Sequence, residues 1–145
     1  MTLENLERIG KLKRHSPTPE EVRKLLGAAR RNLKDAHVRG ISAETRFDAA
    51  YKAIMQCALV ALIASGFRPS TGEPGHHAVV VQSLAKTIQL SGERGAVLDK
   101  LRRLRNLSDY SGEDISEEEA AACIRSAEAL LADLEAWLRT RHPDL

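Results

Sequence analysis

The segment 42–63 constrains the fold more than any other part of the chain. Its apolar side chains recur every three or four positions, and in its second half they cover nearly the whole circumference of a helix. A helix that is apolar on all sides is stable in water only when other helices cover it. We therefore predict that this segment, ended by Gly66, forms the central helix of a bundle.

The composition and periodicity of the remaining chain also favour helices. The sequence holds 20 Ala and 19 Leu, both strong helix formers, and only five aromatic residues. Sheet proteins normally use more β-branched and aromatic residues. The expected fold is all-α, an up-and-down helical bundle of four main helices with short additional helices. The predicted helices cover residues 3–13, 19–39, 42–65, 76–90, 96–107 and 117–140.

The length of 145 residues suits one domain, which we expect to span 1–145 with a helical extension over 1–17. Charged residues make up 29% of the chain, and no apolar run reaches the roughly 20 residues that span a bilayer. Residues 1–14 contain no signal-peptide core, and Cys57 and Cys123 match no metal or redox spacing. We therefore expect a cytoplasmic protein in which both cysteines are reduced, packed thiols.

The formal net charge of +2 conceals an asymmetry along the chain. Residues 1–40 hold ten Lys or Arg against five acids, whereas residues 111–139 hold two against eight. This asymmetry either orients charged ligands and subunits or reflects only the solvated faces of amphipathic helices. The basic residues of the second predicted helix are a candidate phosphate-binding face, although no aromatic residues that would stack on bases lie among them. They are Arg23, Lys24, Arg30, Arg31, Lys34 and Arg39.

Most familiar site motifs are missing from the sequence. It contains no P-loop, no dinucleotide fingerprint, no HExxH and no GxSxG. His76 and His77 are adjacent and point about 100° apart on a helix, so they are unsuited to share one metal ion even with Glu73 nearby. We expect no metal site and no cofactor.

The segment 101–112, with the sequence LRRLRNLSDYSG, concentrates polar groups at the end of a predicted helix. Arginine suits a fork-like grip on phosphate or carboxylate, and tyrosine can stack or donate a hydrogen bond. The expected ligand-binding residues are Arg102, Arg105, Asn106, Asp109 and Tyr110. A purely structural alternative remains open, in which Asn106 and Asp109 cap the helix and Arg105 pairs with an acid of segment 113–119.

The pair Arg105–Asn106 at the end of a bundle helix, followed by Tyr110 and a capped acidic helix, resembles the HEPN superfamily. The segment 41–51, ISAETRFDAAY, also resembles the entry to the first core helix of some bacterial members, and the similarity covers residues 20–140. The resemblance implies a small all-α bundle, often dimeric. Many members are metal-independent ribonucleases, toxins of toxin–antitoxin pairs or partners of small nucleotidyltransferases.

The ribonuclease members carry an RNxxxH motif, and its alignment here puts Tyr110 where the family has His. Tyrosine, with an unperturbed pKa of about 10, is a poor proton shuttle near neutral pH. Our first hypothesis is therefore a non-enzymatic HEPN-like homodimer that binds a nucleotide, RNA or a protein partner such as an antitoxin or small nucleotidyltransferase. The second is a metal-independent ribonuclease in which Arg105, Asn106 and Tyr110 are catalytic. The third is a purely structural interaction module.

Overall fold

A computed structural model describes residues 2–72 and 75–145 of the chain, so Glu73 lies outside the described residues. In chain order the elements are α1 (Leu3–Arg8), β1 (Leu12–Arg14), α2 (Pro19–Ala36), α3 (Ala43–Ala64), β2 (Phe67–Pro69), α4 (His76–Gln82), α5 (Leu84–Thr87), α6 (Gly92–Ser111) and α7 (Glu117–Arg141). The predicted all-α fold is confirmed. The four long helices α2, α3, α6 and α7 form the bundle, and the short helices and one small sheet are added to it.

The central helix of the bundle is α3, as its sequence predicts. The Ser42 side chain caps it by accepting a hydrogen bond from the Thr45 amide, and α2 and α7 pack against it. The side chains of Phe47, Ile54 and Leu62 are almost completely buried. By length and by its mean hydropathy of 1.5 this helix could cross a membrane, but 67% of the apolar window is buried inside the protein. Packing within the bundle therefore accounts for its apolar surface.

Reciprocal side-chain caps begin two of the long helices. Thr18 accepts from the Glu21 amide at 3.2 Å, and the Glu21 carboxylate accepts from the Thr18 amide at 3.3 Å. Ser116 and Glu119 form the same box at 3.0 and 2.9 Å. These bonds satisfy amides that have no partner inside a helix, and each cap stabilises its helix by about 1 kcal/mol. The starts of α2 and α7 are therefore fixed by the local sequence.

The N-terminal helix is shorter than the sequence predicts. It ends at Arg8, before Gly10 adopts a φ of 82°, instead of continuing to Lys13. Leu12 then begins β1, which pairs antiparallel with β2 between α3 and α4, where the sequence predicts neither a helix nor a strand. Leu12 is 1% exposed, and the Arg14 guanidinium lies 4.5 Å from the centre of the Phe67 ring. The extension is therefore a helix followed by a strand that is tied to the bundle.

Two helix boundaries that shape the site also differ from the prediction. The helix expected over 76–90 is divided into α4 and α5 at Ser83, whose hydroxyl donates to the Val80 carbonyl at 2.6 Å. The helix expected to end near Leu107 continues to Ser111 and is closed by Gly112 at φ 69°. Residues up to Ser111 therefore follow helical spacing.

Both cysteines lie in the core. Cys57 and Cys123 are free thiols and are buried. Burial raises the pKa of each thiol to about 12, so both remain protonated at neutral pH. The prediction of packed thiols is confirmed.

Candidate functional site

Arg105 lies where α6 faces the first turns of α3. Its Nη1 atom is 3.2 Å from Asp109 Oδ2, and its Nε atom is 4.0 Å from Asp48 Oδ1. Its guanidinium carbon lies 5.2 Å from the centre of the Tyr51 ring, within range of a cation–π interaction. We call these four residues, Arg105, Asp48, Asp109 and Tyr51, the Arg105 cluster. The Arg105 guanidinium is therefore already paired with two carboxylates in the free protein.

The electrostatics of the cluster show competing effects on Asp48. Burial raises the pKa of the Asp48 carboxyl, and the negative charges of Asp109 and Glu44 raise it further, whereas Arg105 lowers it in part. Burial likewise raises the pKa of the Tyr51 hydroxyl. The buried Ser108 hydroxyl donates to Glu44 Oε1 at 3.3 Å and links α6 to α3 at this point. The Asp48 carboxyl is therefore protonated at a higher pH than an ordinary aspartate.

The other predicted arginine, Arg102, is held by an acid of its own helix. Its Nη2 atom lies 2.9 Å from Asp99 Oδ1, and Arg103 binds the second oxygen of Asp99 at 2.8 Å. Arg102 is 19% exposed and Arg103 is 72% exposed. Arg102 therefore adds positive charge beside the cluster, but its guanidinium is already paired with Asp99.

The purely structural alternative predicts the wrong ion-pair partners for Arg105. Arg105 pairs with Asp48 and Asp109 rather than with an acid of segment 113–119. Because α6 continues to Ser111, Asp109 lies inside the helix and does not cap it. Residues four positions apart share a helix face, which explains why Asp109 reaches Arg105.

Tyr110 is separated from Arg105 by the geometry of the helix. Five positions on an α-helix correspond to a rotation of about 140°, so the two side chains leave α6 in different directions. Tyr110 is 88% exposed, and Leu107, three residues earlier on the same side, is 52% exposed. Asn106 is exposed as well. The structure thus brings together Arg105 and Asp109 of the predicted set and leaves Asn106 and Tyr110 on the outer surface of the helix.

A histidine that the motif search did not select lies at the start of α4. The pKa of His77 is lowered, first by burial and then by the positive charges of His76, Arg105 and Arg102. The His76 and His77 rings meet edge to face with their centres 4.6 Å apart. The packing of α4 against α6 therefore brings His77 within electrostatic reach of Arg105. The only signal in the sequence was the His-His pair at a predicted helix start.

A groove runs between α3 and α4 beside these histidines. Its volume is about 230 Å³, and its surface is largely apolar. It is lined by Lys52, Met55, Gln56, Leu59, Pro69, Thr71, His76, His77 and Val80. We call it the α3–α4 groove. Lys52 connects it to the Arg105 cluster, because it lies one helical turn after Asp48 and its charge lowers the Asp48 pKa.

The basic face of α2 and a metal site are two other candidates, and the structure gives them less support. On the basic face of α2, Arg30 is paired with Glu135 at 2.7 Å and Lys24 with Glu20 at 3.2 Å. Within residues 2–72 and 75–145, no group of three or more His, Cys, Asp or Glu residues is arranged to hold a metal ion. The Arg105 cluster and the α3–α4 groove are therefore the site on which we base a function.

A comparison with protein families agrees with the resemblance stated from the sequence. The family model described as "HEPN domain" matches residues 14–137, which include every residue of the Arg105 cluster and of the groove. A search of curated proteins found no match to the chain.

Proposed function

The chain belongs to the HEPN domain family, and within that family we propose that it acts by binding rather than by cleaving RNA. In this proposal it is a cytoplasmic homodimer that holds a nucleotide or an RNA at the surface formed by α6, α3 and the start of α4. A protein partner, such as an antitoxin or a small nucleotidyltransferase, is the alternative ligand of the same surface.

The position of Tyr110 carries the proposal. This residue takes the place of the ribonuclease histidine, yet it is 88% exposed and leaves α6 in a different direction from Arg105. A general base must lie within hydrogen-bond reach of the proton that it removes and must have a suitable pKa. An exposed aromatic side chain is better suited to stack on a base or to pack against another protein surface.

Arg105 is able to exchange its partners for a phosphate group. Its side chain is 32% exposed, and the partner side chains of Asp48 and Asp109 are 45% and 36% exposed. Ion pairs as open to water as these contribute only about 0–1 kcal/mol each. A phosphate binds the arginine fork through two parallel hydrogen bonds, so it competes well with both carboxylates.

The exposed face of α6 supports the homodimer. Leu107 and Tyr110 lie three positions apart and therefore on one side of the helix, where they are 52% and 88% exposed. In a two-fold dimer both copies use the same patch, so two Leu107 and two Tyr110 side chains become buried in each complex. Dimerisation through this face leaves the Arg105 cluster and the groove open to a ligand.

The experiment that tests the binding function compares Arg105→Ala with Arg139→Ala, an exposed arginine in the last turn of α7. Binding of short RNAs and of nucleotides is measured for the full chain by calorimetry and by gel shift. We expect Arg105→Ala to weaken binding about tenfold, because it removes charge-assisted hydrogen bonds, and Arg139→Ala to have little effect. Equal effects of the two variants, or the absence of any RNA or nucleotide binding, would leave only the structural role of the cluster.

One observation favours a second function, a metal-independent ribonuclease. His77 lies within electrostatic reach of Arg105, and its lowered pKa keeps the imidazole neutral near pH 7. A neutral histidine within electrostatic reach of an arginine has the chemistry of a general base that acts together with a group able to stabilise developing phosphate charge. Cleavage of RNA that is lost in both Arg105→Ala and His77→Ala but retained in Tyr110→Phe would establish this function. No cleavage, or cleavage that these variants leave unchanged, eliminates it.

A further inference from the structure

The N-terminal segment is attached to the bundle mainly by one short strand pairing, and we propose that it is a latch that opens while the bundle stays folded. The latch is residues 3–14, which form α1, the turn at Gly10 and β1. All but the last of these residues lie before the range 14–137 that the family model matches. Opening of the latch frees one wall of the α3–α4 groove. Its consequence for a ligand of the groove rests on the proposed binding function, whereas the opening itself is measurable without a ligand.

The latch reaches the groove through backbone pairing. β1 and β2 form a two-stranded antiparallel sheet in which Leu12 lies opposite Pro69. The Ser70 amide donates to the Lys11 carbonyl at 3.0 Å and extends the pairing by one residue. Pro69 and Thr71 line the groove. Because β1 is the strand paired with β2, its release leaves the wall that contains Pro69 and Thr71 without a sheet partner.

One fully buried side chain holds the latch closed. Among residues 3–14, all of which the structure describes, only Leu12 is buried, at 1% exposure. Leu3 and Leu6 of α1 are partly buried against the core. Two short strands on their own are marginally stable in water, so the pairing of β1 with β2 needs this burial. Truncation of Leu12 should therefore shift the latch toward the open form.

A buried polar group in β2's continuation opposes closure. Ser70 is 6% exposed, and its hydroxyl has no hydrogen-bond partner within residues 2–72 and 75–145. A buried hydroxyl that has lost its hydrogen bonds to water without replacing them destabilises the state that buries it. Since the Ser70 amide is bonded to the latch, opening returns this residue to water and removes the penalty. The closed form is thus stabilised by Leu12 and destabilised by Ser70.

The latch has a fixed base and moves as one piece. The His15 amide donates to the Gly66 carbonyl at 2.9 Å, and His15 Nε2 lies 2.5 Å from Oε1 of Glu21, which caps α2. The chain is therefore fixed to the bundle directly after the latch. Within the latch, Arg14 Nε lies 3.1 Å from Glu7 Oε1 and links β1 to α1. Release of β1 therefore carries α1 with it.

The proposal is tested on the full chain by native-state hydrogen exchange followed by NMR, which detects local opening below the level of global unfolding. The reporter amides are those of α1, β1 and β2, and the reference amides are those of α3 and α7. Leu12→Ala weakens closure, and Ser70→Ala removes the unpaired hydroxyl. Lys13→Ala is the matched control, because Lys13 is the exposed neighbour of Leu12 in β1. Leu134→Ala weakens the core at a fully buried position of α7.

An independently opening latch gives a different response to each variant. Leu134→Ala should speed exchange in α3 and α7 about thirtyfold or more and leave the latch and β2 unchanged, because this part of the core is intact whether the latch is open or closed. Leu12→Ala should speed exchange of the latch and β2 about thirtyfold or more, and Lys13→Ala should resemble the wild type. Ser70→Ala should slow latch exchange about tenfold.

Two results of the exchange measurement would overturn the latch. Equal acceleration of the latch and of α3 in Leu134→Ala would mean that the latch opens only when the whole bundle unfolds. Latch exchange that neither Leu12→Ala nor Ser70→Ala alters would mean that these residues do not set its opening. Ser70→Ala and the wild type keep the test valid if Leu12→Ala does not fold.

Alkylation provides a second measurement of the same opening. In Ser70→Cys, the introduced thiol should react with iodoacetamide at pH 8 well before Cys57 and Cys123, which are buried in the core. Reaction of all three thiols at one rate would show global unfolding alone and would overturn the latch. Neither measurement uses a ligand, so a wild type that binds no RNA or nucleotide overturns the proposed function and leaves the latch standing.

Discussion

Truncation of Tyr110 to alanine separates the stability of the protomer from that of the proposed dimer. The side chain is 88% exposed in the single chain, so it contributes little to folding. Surface substitutions of this kind change the free energy of unfolding by about 0.5 kcal/mol or less. The same side chain is the most exposed of the large hydrophobic residues among residues 2–72 and 75–145. The free-energy cost of removing it should therefore fall on association of the protomers and not on folding.

The magnitude of that cost follows from the area that a partner would cover. A tyrosine that becomes buried hides roughly 150–250 Å², which at about 25 cal/mol per Å² gives an upper limit of about 4–6 kcal/mol. Truncations of aromatic residues at interfaces cost about 2 kcal/mol or more, because part of the burial is offset by desolvation and ordering. A two-fold dimer contains two copies, so we expect a loss of about 4 kcal/mol, or about a thousandfold in dissociation constant.

Sedimentation measures this loss when the wild type, Tyr110→Ala and Ile9→Ala are compared from nanomolar to high micromolar concentrations. Ile9 is the matched control, since it is 53% exposed and lies just after α1, outside the proposed interface. Urea unfolding of the same samples checks that the protomers remain equally stable. A wild type that sediments as a 16.0 kDa species at high micromolar concentration would refute the reasoning, and so would equal dissociation constants for the two variants.

Two pKa shifts and one ion pair give three further predictions. A titration of His77 by NMR should give a pKa below 6.5, and this pKa should rise in Arg105→Ala because the arginine charge helps to lower it. Since the folded pKa lies below the unfolded value, the stability that neutral His77 contributes is present above pH 6.5 and is lost as the pH falls through the folded pKa. An unchanged His77 pKa in Arg105→Ala would contradict the proximity of the two residues. Asp48→Asn should bind RNA or nucleotide about two- to fivefold more tightly, because it frees Arg105 from an exposed ion pair, and an affinity equal to the wild type would show that Asp48 does not compete. Cys57 and Cys123 should resist alkylation at pH 8 in the folded protein and react in urea, as mass spectrometry can show, because burial raises both pKa values to about 12.

The parts of the fold that the sequence predicts are those whose causes are local. The apolar circumference of α3 and the capping residues Thr18 and Ser116 act within a few positions of where they stand. The pairing of β1 with β2 joins Leu12 to Pro69, and no periodicity in three-residue strands reveals such a distant partner. The predicted end of α6 near Leu107 is wrong, because the polar residues that follow Leu107 favour a loop, whereas the helix ends at the left-handed cap Gly112, five residues farther along.

In the candidate site too, contacts within one helix are predictable from the sequence, whereas contacts between helices are not. Arg105 and Asp109 could be paired by their spacing once α6 is known to continue past them. Asp48 and His77 come from other helices, and only the packing of α3, α4 and α6 brings them together. The RNxxxH motif places its histidine downstream of Arg105, whereas His77 lies upstream in the chain, so the motif gives no indication of His77.

The spacing of Arg105 and Tyr110 relates the proposed dimer to the proposed ligand site. Because the helix turns about 140° over five positions, Tyr110 of one protomer is directed away from its own Arg105 and into the proposed interface. If two copies join through this face, Tyr110 can contribute to a ligand site only from the side of the second copy. Nucleotide binding by Tyr110→Ala decides between two arrangements. An affinity that falls together with the dimer means that the site is shared between protomers. An unchanged affinity in a monomeric variant means that the α3–α4 groove and Arg105 of one chain are sufficient, and Tyr110 then serves only association.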